Sequence, residues 1–483
     1  MNVSLILVIL LFGALATWYS GDKWASKVAL AFSTVAFGVT AFLTYRFFTV
    51  DNPTVTLSFS KMWIANPRVV LFFKADGLSL AMALLTTALT PIIILTSFAN
   101  LFPRKASFYG LILFMAFAMA GTFLSEDGFL YYIFWELSLI PIYFIALMWG
   151  GGDAEERKKA VVKFFIYTFA GSLFMLLAFI YIYQRTGSFL AFNLYNARLN
   201  ETEEMLIFLA FFLAYAIKIP IIPFHTWQAN VYQKAPAAGT MLLSGIMLKM
   251  ALFSIIKWQL PIAPHFAEKY KYIFIALCVA GVIYGSILAL KQTNLKKLLA
   301  YSSLAHVGLV AAGAYTMTLD GFRGAVLQML AHGFVVVGLF FAAEIIERRF
   351  ATQEIADMGG IRLKTPVFSS MFMILVLASV ALPSTFNFVG EFELLYSLAQ
   401  ANIWMAVVGG LTIILGAFYM LRMFQQVMLG DGTRAFADVT VIEGVAFVLI
   451  IAVLLFFGVY PKPLVELVTP TLNELLTYIK QLR

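Results

Sequence analysis

Long hydrophobic stretches recur along the whole chain and are separated by short polar loops. Each stretch holds about 18 or more mostly apolar residues, enough for a helix to cross a hydrocarbon core about 30 Å thick. The pattern predicts fourteen transmembrane helices within a single membrane domain over residues 1–483. The predicted helices lie at about 3–19, 26–48, 77–100, 107–124, 129–149, 160–183, 205–228, 236–257, 271–290, 297–317, 321–346, 366–399, 402–428 and 440–460.

The first of these stretches contains Ala14, Leu15 and Ala16, a sequence typical of a signal cleavage site. No Lys or Arg precedes it, whereas a secretory signal peptide needs a basic start. Residues 3–19 are therefore predicted to remain as the first membrane helix.

Two predicted helices are interrupted by proline. Pro220 and Pro223 follow Lys218 within helix seven, and Pro383 precedes Glu391 within helix twelve. Each proline removes a backbone donor and clashes with the preceding turn. Because unpaired backbone groups are tolerated at membrane depth only against protein or water, both helices are predicted to be broken and to line an internal polar path.

The two interrupted helices occupy corresponding places in two halves of the chain. The segment GTMLLSGIMLKM, after the first break, also has a counterpart in GGLTIILGAFYMLRM, after the second. Paired broken helices are typical of inverted repeats with a functional site near the membrane midplane. The sequence therefore predicts an all-α membrane fold with two inverted repeats, the first over about 107–257 and the second over about 271–428.

The composition excludes an ordinary soluble protein. Hydrophobic residues make up 62% of the chain and charged residues 12%, with a mean hydropathy of +0.90. The net charge of +8 comes largely from loops that follow odd-numbered helices, with residues such as Arg157, Lys158, Lys159 and Arg434. Short basic loops lie on the cytoplasmic side, so this bias predicts no nucleic-acid partner and places both termini outside the cytoplasm.

Cys278 is the single cysteine of the sequence. Disulfides need two cysteines, and iron–sulfur clusters need several. No G-x-G-x-x-G motif follows a strand pattern, so the usual dinucleotide fingerprint is also missing. We expect no redox centre, cofactor or metal in this chain.

Ionisable side chains inside the apolar stretches are the main functional signal. A charged group at the bilayer centre costs about 2.5–3.5 kcal/mol on insertion scales, so such residues normally face a protein interior or water. Histidine suits proton transfer because its ordinary pKa is near physiological pH. The candidates are Glu136, Lys218, His225, Lys249, His306, His332 and Glu391.

Each candidate also has a structural interpretation that the sequence leaves open. Glu136 suits an ion pair that braces two helices, and a lone histidine such as His306 suits a hydrogen-bonded core position. Arg422, near a helix end, suits snorkelling towards the interface. A structural role predicts that neutralisation impairs assembly, whereas a functional role predicts loss of proton transfer in an assembled protein.

Lys218 and Glu136 together suggest a mechanism of proton release. Burial weakens the hold of a lysine on its proton, and a nearby carboxylate strengthens it. We hypothesise that the two side chains pair in one state and that their separation releases a proton from Lys218.

Two segments outside the membrane stretches also have recognisable patterns. Between helices two and three, TVTLSFSKMWI and RVVLFFKADGL alternate in part between apolar and polar residues and predict a short hairpin on the outer surface. Residues 463–483 predict a short amphipathic helix or tail at the same interface.

Six motifs occur in order along nearly the whole chain: FFKADGLSL, FFIYTFAGSLFML, AYAIKIPIIPFHTW, KKLLAYSSLAHVG, DMGGIRLKTP and LPSTFNFVGEF. At these motifs the chain resembles the antiporter-like subunits of respiratory complex I, the proton-pumping NADH:quinone oxidoreductase. Glu391, and a chain that stops at residue 483 without a long lateral helix, are typical of the M-type branch of that family.

The resemblance implies a role in proton translocation for each candidate. Glu136 and Lys218 match the family's first ion pair, and Lys249 matches its central lysine. His225 matches the histidine of the broken helix.

The remaining candidates match the second half of the family pattern. His306 and His332 match relay positions between the halves, and Glu391 matches the group that connects to the outside or to a neighbouring subunit. The resemblance thus implies one chain of Glu, Lys and His side chains.

The resemblance also implies the surroundings of the chain. NADH, FMN, iron–sulfur clusters and quinone are expected in other subunits, and the N-type and L-type antiporter-like subunits and lipid are expected as neighbours. The expected location is a bacterial inner membrane, with both termini on the periplasmic side.

One loop departs from the family pattern. The segment from Gln228 to Lys234 lacks the acidic residue and second histidine that usually precede the Ala-Pro pair, so it is assigned no role. Sequence alone leaves other functions open: a subunit of a multi-subunit Na+/H+ antiporter, a hydrogenase-type membrane complex, or a structural subunit that pumps nothing.

Overall fold

The structure is a computed structural model that describes residues 2–431 and 437–482. Arg434, one of the basic loop residues, and Arg483, the last residue of the predicted tail, lie outside the described residues. Within that range the chain is mainly helical and contains a two-stranded sheet.

The chain starts with two long helices, one helical turn and a hairpin. These elements are α1 (Ser4–Tyr19), α2 (Ala25–Phe47), α3 (Pro53–Thr56), β1 (Phe59–Ile64) and β2 (Val69–Phe73). The strands are antiparallel, with Phe59 opposite Phe73, which confirms the predicted hairpin.

Six helices follow, and aspartates cap three of them. They are α4 (Gly77–Thr96), α5 (Lys105–Leu124), α6 (Gly128–Leu137), α7 (Leu139–Trp149), α8 (Ala154–Thr186) and α9 (Ala191–Tyr195). The capped helices are α4, α6 and α8. The Asp76 carboxylate accepts from the Ser79 amide at the start of α4, and the Asp127 carboxylate accepts from two amides at the start of α6. A carboxylate there satisfies the free N–H groups of the first turn.

The middle of the chain departs from regular α-helix in two regions, a non-helical segment and a stretch with π-helical turns. Its helices are α10 (Glu201–Lys218), α11 (Gln228–Lys234), α12 (Ala237–Leu242), α13 (Leu248–Ser254) and α14 (Leu260–Ile262). Residues 219–227, with both prolines, separate α10 from α11. Two π-helical segments, Leu243–Met247 and Ile255–Gln259, connect α12, α13 and α14 into one buried stretch.

The second half contains three long helices and then a second interruption. Its elements are α15 (Pro264–Leu290), α16 (Leu295–Tyr315), α17 (Leu319–Phe350), α18 (Pro366–Ser379), α19 (Phe386–Ala401), α20 (Ile403–Met428), α21 (Val441–Val459) and α22 (Lys462–Gln481). Residues 380–385, with Pro383, separate α18 from α19. The helix α22 confirms the predicted terminal helix, and it packs on α4 and α17.

Eleven helices in the described ranges are long and apolar enough to cross a membrane. Ser4–Tyr19 and Pro366–Ser379 are apolar but shorter. Several bounds differ from the sequence expectation: α8 begins before residue 160 and α15 begins before residue 271, because charged residues such as Glu156 and Lys269 continue helices beyond their apolar parts. The total of fourteen spans stays a prediction.

Burial divides the helices into an inner and an outer group. The inner group is α12, α13, α16 and α17, whose apolar parts are almost entirely buried. A helix that is hydrophobic all round belongs in such an interior. By contrast, α2, α20 and α21 leave most of their apolar surface exposed. The inner group carries Lys249, His306 and His332.

Candidate functional site

Four of the seven predicted site residues form two hydrogen-bonded pairs in the interior. The Lys249 ammonium lies 2.8 Å from Nδ1 of His332. Nδ1 of His306 lies 2.8 Å from Oε1 of Glu391. The two histidine rings are 6.1 Å apart between centroids, so the pairs are neighbours. All four side chains are at most 4% exposed.

The π-helical segment before α13 supplies the second contact of Lys249. Such segments widen the helix by one residue and are frequent at functional sites. The Lys249 ammonium donates to the backbone oxygen of Ser244, within Leu243–Met247. With an ammonium donating to Nδ1, the remaining ring proton of a neutral His332 lies on Nε2. The protein thus holds this lysine by a carbonyl and an imidazole.

A close contact between α17 and α19 positions Glu391. Gly390 lets the helices approach, because a Cβ there would lie 2.7 Å from the backbone nitrogen of Gln328. At this distance Nε2 of Gln328 donates to Oε1 of Glu391, 2.9 Å away. The same carboxylate oxygen therefore receives bonds from an amide and from His306.

Lys218 and Glu136 form a separate site in the first half. No ion pair joins them within the described residues, and buried atoms of both side chains lack a hydrogen-bond partner there. The Lys218 ammonium instead lies over the ring of Trp135, 4.4 Å from its centroid. A cation above an indole gains electrostatic stabilisation from the ring face. The two groups therefore make no direct ion pair in the described chain, and they interact electrostatically at longer range.

His225 lies in the irregular segment that follows Lys218. The ring of Trp227 holds this segment by donating from Nε1 to the backbone oxygen of Ile217, 2.9 Å away. The His225 ring packs edge-on to Tyr284 at 5.0 Å between centroids. The structure places His225 outside the hydrogen-bonded pairs of Lys249 and Glu391 in the described chain.

Unsatisfied polar atoms mark this interior as a place for water. Buried polar atoms in proteins normally have a partner, either in the protein or in ordered water. Among the described residues, those without a protein partner include Oε1 of Glu136, Nζ of Lys218, Nδ1 of His225, Nε2 of His306, Nε2 of His332 and Oε2 of Glu391. Ordered water is the usual partner of such atoms.

Sequence reasoning missed a buried lysine–carboxylate cluster, centred on Lys257. Its ammonium is 2.8 Å from Asp76 and 2.8 Å from Glu126, and Lys74 lies 3.3 Å from Glu126. Burial would raise the pKa of Asp76, but Lys257 and Lys74 outweigh it and lower that pKa to about 2. The sequence signal was ambiguous, because Lys257 follows an apolar run but is the last residue of its predicted span, where a lysine usually snorkels.

The divergent loop folds as α11 and packs against α16. Its last residue, Lys234, pairs with Glu156 at 2.6 Å. In residues 2–431 and 437–482, no three His, Cys, Asp or Glu side chains are placed to hold a metal ion.

A family model described as NADH:quinone oxidoreductase/Mrp antiporter, TM, matches residues 125–416. This range includes all seven predicted site residues. Subunit M of the NADH-quinone oxidoreductase of Rickettsia prowazekii is 35% identical over 461 residues, which cover 94% of this chain and 93% of that protein. The chain belongs to this subunit M family.

Solved structures agree with that assignment. A chain of respiratory complex I from Thermus thermophilus with bound NADH is 26% identical, with a TM-score of 0.91 and 99% coverage of both chains. A chain of the Mrp complex from Dietzia sp. is 19% identical, with a TM-score of 0.87 over 99% of both chains. The second likeness concerns the fold alone. The chain is therefore a membrane subunit of an NADH-quinone oxidoreductase, with an antiporter-like fold.

Proposed function

We propose that this subunit translocates protons through its buried Glu, Lys and His side chains, coupled to NADH oxidation and quinone reduction elsewhere in the complex. The observation that carries the proposal is the adjacency of the Lys249–His332 and His306–Glu391 pairs inside apolar helices. Four titratable groups in contact, buried in a membrane domain, are costly for stability and suited to proton exchange. Their individual roles stay predictions.

A proton can move along these groups with little rearrangement. If Lys249 gives its proton to Nδ1 of His332, the ring passes its own Nε2 proton onward. His306 then accepts on its free Nε2 and delivers the Nδ1 proton to Glu391, which is already 2.8 Å away. After the transfer, each histidine is in its other tautomer. Each ring must rotate or exchange its protons before it can transfer another.

The first half supplies a second proton-loading group. Lys218 and Glu136 are proposed to pair in one state and to separate in another, and the arrangement with Lys218 over Trp135 suits the separated state. Separation removes the carboxylate that strengthens the hold of the ammonium on its proton. His225, on the adjacent irregular segment, is proposed to relay that proton.

The finer architecture is also part of this proposal. Fourteen transmembrane helices are obtained if α10 with α11, and α18 with α19, each form one broken span. The gaps at 219–227 and 380–385 support this interpretation. The inverted repeats at about 107–257 and 271–428 would place the broken spans in equivalent positions.

The surroundings follow from the family and from the exposed helices. NADH, FMN, iron–sulfur clusters and quinone are proposed to bind other subunits. The exposed apolar surfaces of α2, α20 and α21 suit lipid and the N-type and L-type neighbours. The proposed location is a bacterial inner membrane, with both termini on the periplasmic side.

The test is NADH-driven proton uptake in vesicles that carry the assembled complex. We expect Lys218→Met to abolish most uptake and coupled turnover while the content of this subunit stays at the wild-type level. Lys269→Met is the matched control, because it removes an ammonium whose side chain is 55% exposed. Wild-type uptake in Lys218→Met would contradict a role for Lys218 in pumping.

A sodium/proton antiporter remains the second candidate, since the matching family model includes Mrp antiporters. It predicts that the wild-type complex exchanges Na+ for protons without NADH. Absence of any NADH-linked uptake, together with such exchange, would favour the antiporter.

A further inference from the structure

Two cavities lie on either side of one hydrogen bond between α16 and α20. The outer cavity has a volume of about 570 Å³ and is lined by side chains that include Lys291, Leu298, Tyr419, Arg422 and Gln426. Arg422 and Gln426 are exposed, so this cavity opens to the surface near the C-terminal end of α20. Its polar lining suits water.

The inner cavity is a small void beside the proposed proton carriers. Its volume is about 10 Å³, close to the space needed for one water molecule. Ser302, Ser303, His306, His332 and Asn387 supply its polar lining. Because Nε2 of His306 and Nε2 of His332 have no protein partner in the described chain, a water there would find hydrogen-bond partners.

The side chains of Tyr419 and Ser302 separate these two cavities. Tyr419 lines the outer cavity and Ser302 lines the inner void. The Tyr419 hydroxyl donates to Oγ of Ser302 at 3.1 Å, and the two residues are 1% and 4% exposed. One hydroxyl pair is therefore the direct polar contact between the two spaces.

The face of α16 that carries Ser302 runs from the outer cavity towards Glu391. Leu298, Ser302 and His306 follow at intervals of four residues, so they lie on one face and about 6 Å apart along the axis. Leu298 lines the outer cavity, and His306 contacts Glu391 at 2.8 Å. The face therefore leads from the surface cavity to the Glu391 carboxylate.

We propose that the Tyr419–Ser302 hydroxyl pair is a proton gate that admits protons from the outer cavity to His306 and Glu391. This inference rests on the proposed proton-translocating function. The Tyr419 oxygen takes a proton from cavity water as its own hydroxyl proton moves to Oγ of Ser302. The Ser302 proton then passes to the water in the inner void and on to Nε2 of His306. Both hydroxyls end neutral, and they reset by rotation.

The lining of the outer cavity is positively charged. Lys291 and Arg422 contribute two positive groups, and no Asp or Glu lines this cavity in the described residues. Clusters of basic side chains repel metal cations and hydronium alike, so this charge does not itself select protons. A proton that moves by hydroxyl exchange needs no cation-binding site along the way, so the gate would conduct protons selectively.

The first experiment compares hydroxyl deletions in vesicles with the assembled complex. We expect Tyr419→Phe and Ser302→Ala each to lower NADH-driven proton uptake about tenfold, equivalent to ~1.4 kcal/mol in the barrier. Ser302→Thr keeps a hydroxyl and should keep uptake. Tyr460→Phe makes the same chemical change at a tyrosine that is 50% exposed and should behave as wild type.

The outcomes separate the gate from the function on which it rests. Wild-type uptake in Tyr419→Phe, with Lys218→Met inactive, would overturn the gate alone. Absence of NADH-driven uptake in the wild type would overturn the proposed function itself. Equal uptake in Ser302→Ala and Ser302→Thr would also contradict the gate, because the hydroxyl would then be irrelevant.

A second experiment tests the path through the outer cavity even if the Tyr419 variant fails to assemble. Gln426→Cys places a thiol in the outer cavity, and the native Cys278 of this chain is fully buried. A membrane-impermeant anionic thiol reagent, added on the NADH-accessible face, should label Cys at this position and slow proton uptake about tenfold. Labelling is measured by the mass of the modified peptide. Complete labelling without any change in proton uptake would overturn the proposed path.

Discussion

Lys249 and Lys257 lie eight residues apart in the same buried stretch, yet their partners differ in kind. They are 0% and 2% exposed. Lys257 lies 2.8 Å from each of two carboxylates, Asp76 and Glu126. Lys249 contacts an imidazole and a backbone oxygen, and no carboxylate pairs with it in the described residues. Burial alone therefore does not indicate which lysine exchanges protons.

The partner decides what each lysine can do. A lysine between two carboxylates keeps its proton, because its loss would leave two buried negative charges uncompensated. A lysine beside a neutral imidazole can pass its proton to a ring whose ordinary pKa is near physiological pH. Lys257 therefore fastens the π-helical segment Ile255–Gln259 to the start of α4 and to the loop before α6, whereas Lys249 is proposed to exchange protons. Four substitutions or conditions test this difference, ordered by their expected effect on stability.

Lys257→Met should have the largest effect. It leaves Asp76 and Glu126 buried without their shared cation, and removal of one partner from a buried ion pair costs about 3–5 kcal/mol. We expect the subunit to be lost from the membrane complex, as measured by its content after purification. Lys269→Met, at an exposed ion pair, should leave assembly intact. A fully assembled Lys257→Met complex would remove the distinction between the two lysines.

The second largest effect is expected from acid, which should weaken the cluster of Lys257, Asp76 and Glu126. The folded pKa of Asp76 is about 2, below its ordinary value of 3.8, so its ionised form stabilises the fold above pH 3.8 and this stabilisation is lost as pH falls to about 2. The shift corresponds to about 2 kcal/mol. Denaturation of the solubilised complex at several pH values below 5 should show this loss, and Asp76→Asn should show a smaller pH dependence. If the wild type and Asp76→Asn lost stability identically as pH falls, Asp76 would not be the source of the acid sensitivity.

Gly390→Ala should cost about 1–3 kcal/mol, the usual range for overpacking. The new Cβ would lie 2.7 Å from the backbone nitrogen of Gln328, so α19 must move away from α17 and the bond from Gln328 to Glu391 should weaken. Thermal unfolding of the complex measures the first effect and proton uptake the second. Gly410→Ala, on α20 with open space around it, is the matched control and should change neither.

The membrane fold and the candidate residues were predictable because hydropathy and intramembrane charge are local signals. Both breaks near proline, the hairpin and the terminal helix could be located in this way. The seven candidates could be named from their apolar surroundings alone. Their contacts could not, since the His306–Glu391 bond joins residues 85 positions apart.

Other features depend on three-dimensional packing that no local pattern contains. The π-helical segment that frees the Ser244 carbonyl for Lys249 has an ordinary helical sequence. Lys257 falls at the end of a predicted span, where a lysine usually snorkels, and its burial depends on a carboxylate from the distant Asp76. Glu136 and Lys218 were hypothesised to pair in one state and to separate in another, and the contact of Lys218 with the ring of Trp135 could not be read from the sequence.

Lys249→Met should have the smallest effect on stability and a large effect on pumping. No carboxylate is stranded when this ammonium is removed, and methionine fills a similar volume. Only the neutral Ser244 oxygen and Nδ1 of His332 lose a donor, so the expected loss of stability is smaller than for Lys257→Met. Proton uptake driven by NADH should nevertheless be largely lost, because His332 then has no donor at Nδ1. The decisive measurement is the ratio of uptake to subunit content in Lys249→Met and Lys257→Met vesicles. Loss of uptake without loss of content for Lys249, set against loss of content for Lys257, would show that the partner of a buried lysine determines its role. Parallel losses in both variants would mean that Lys249, too, is a structural residue.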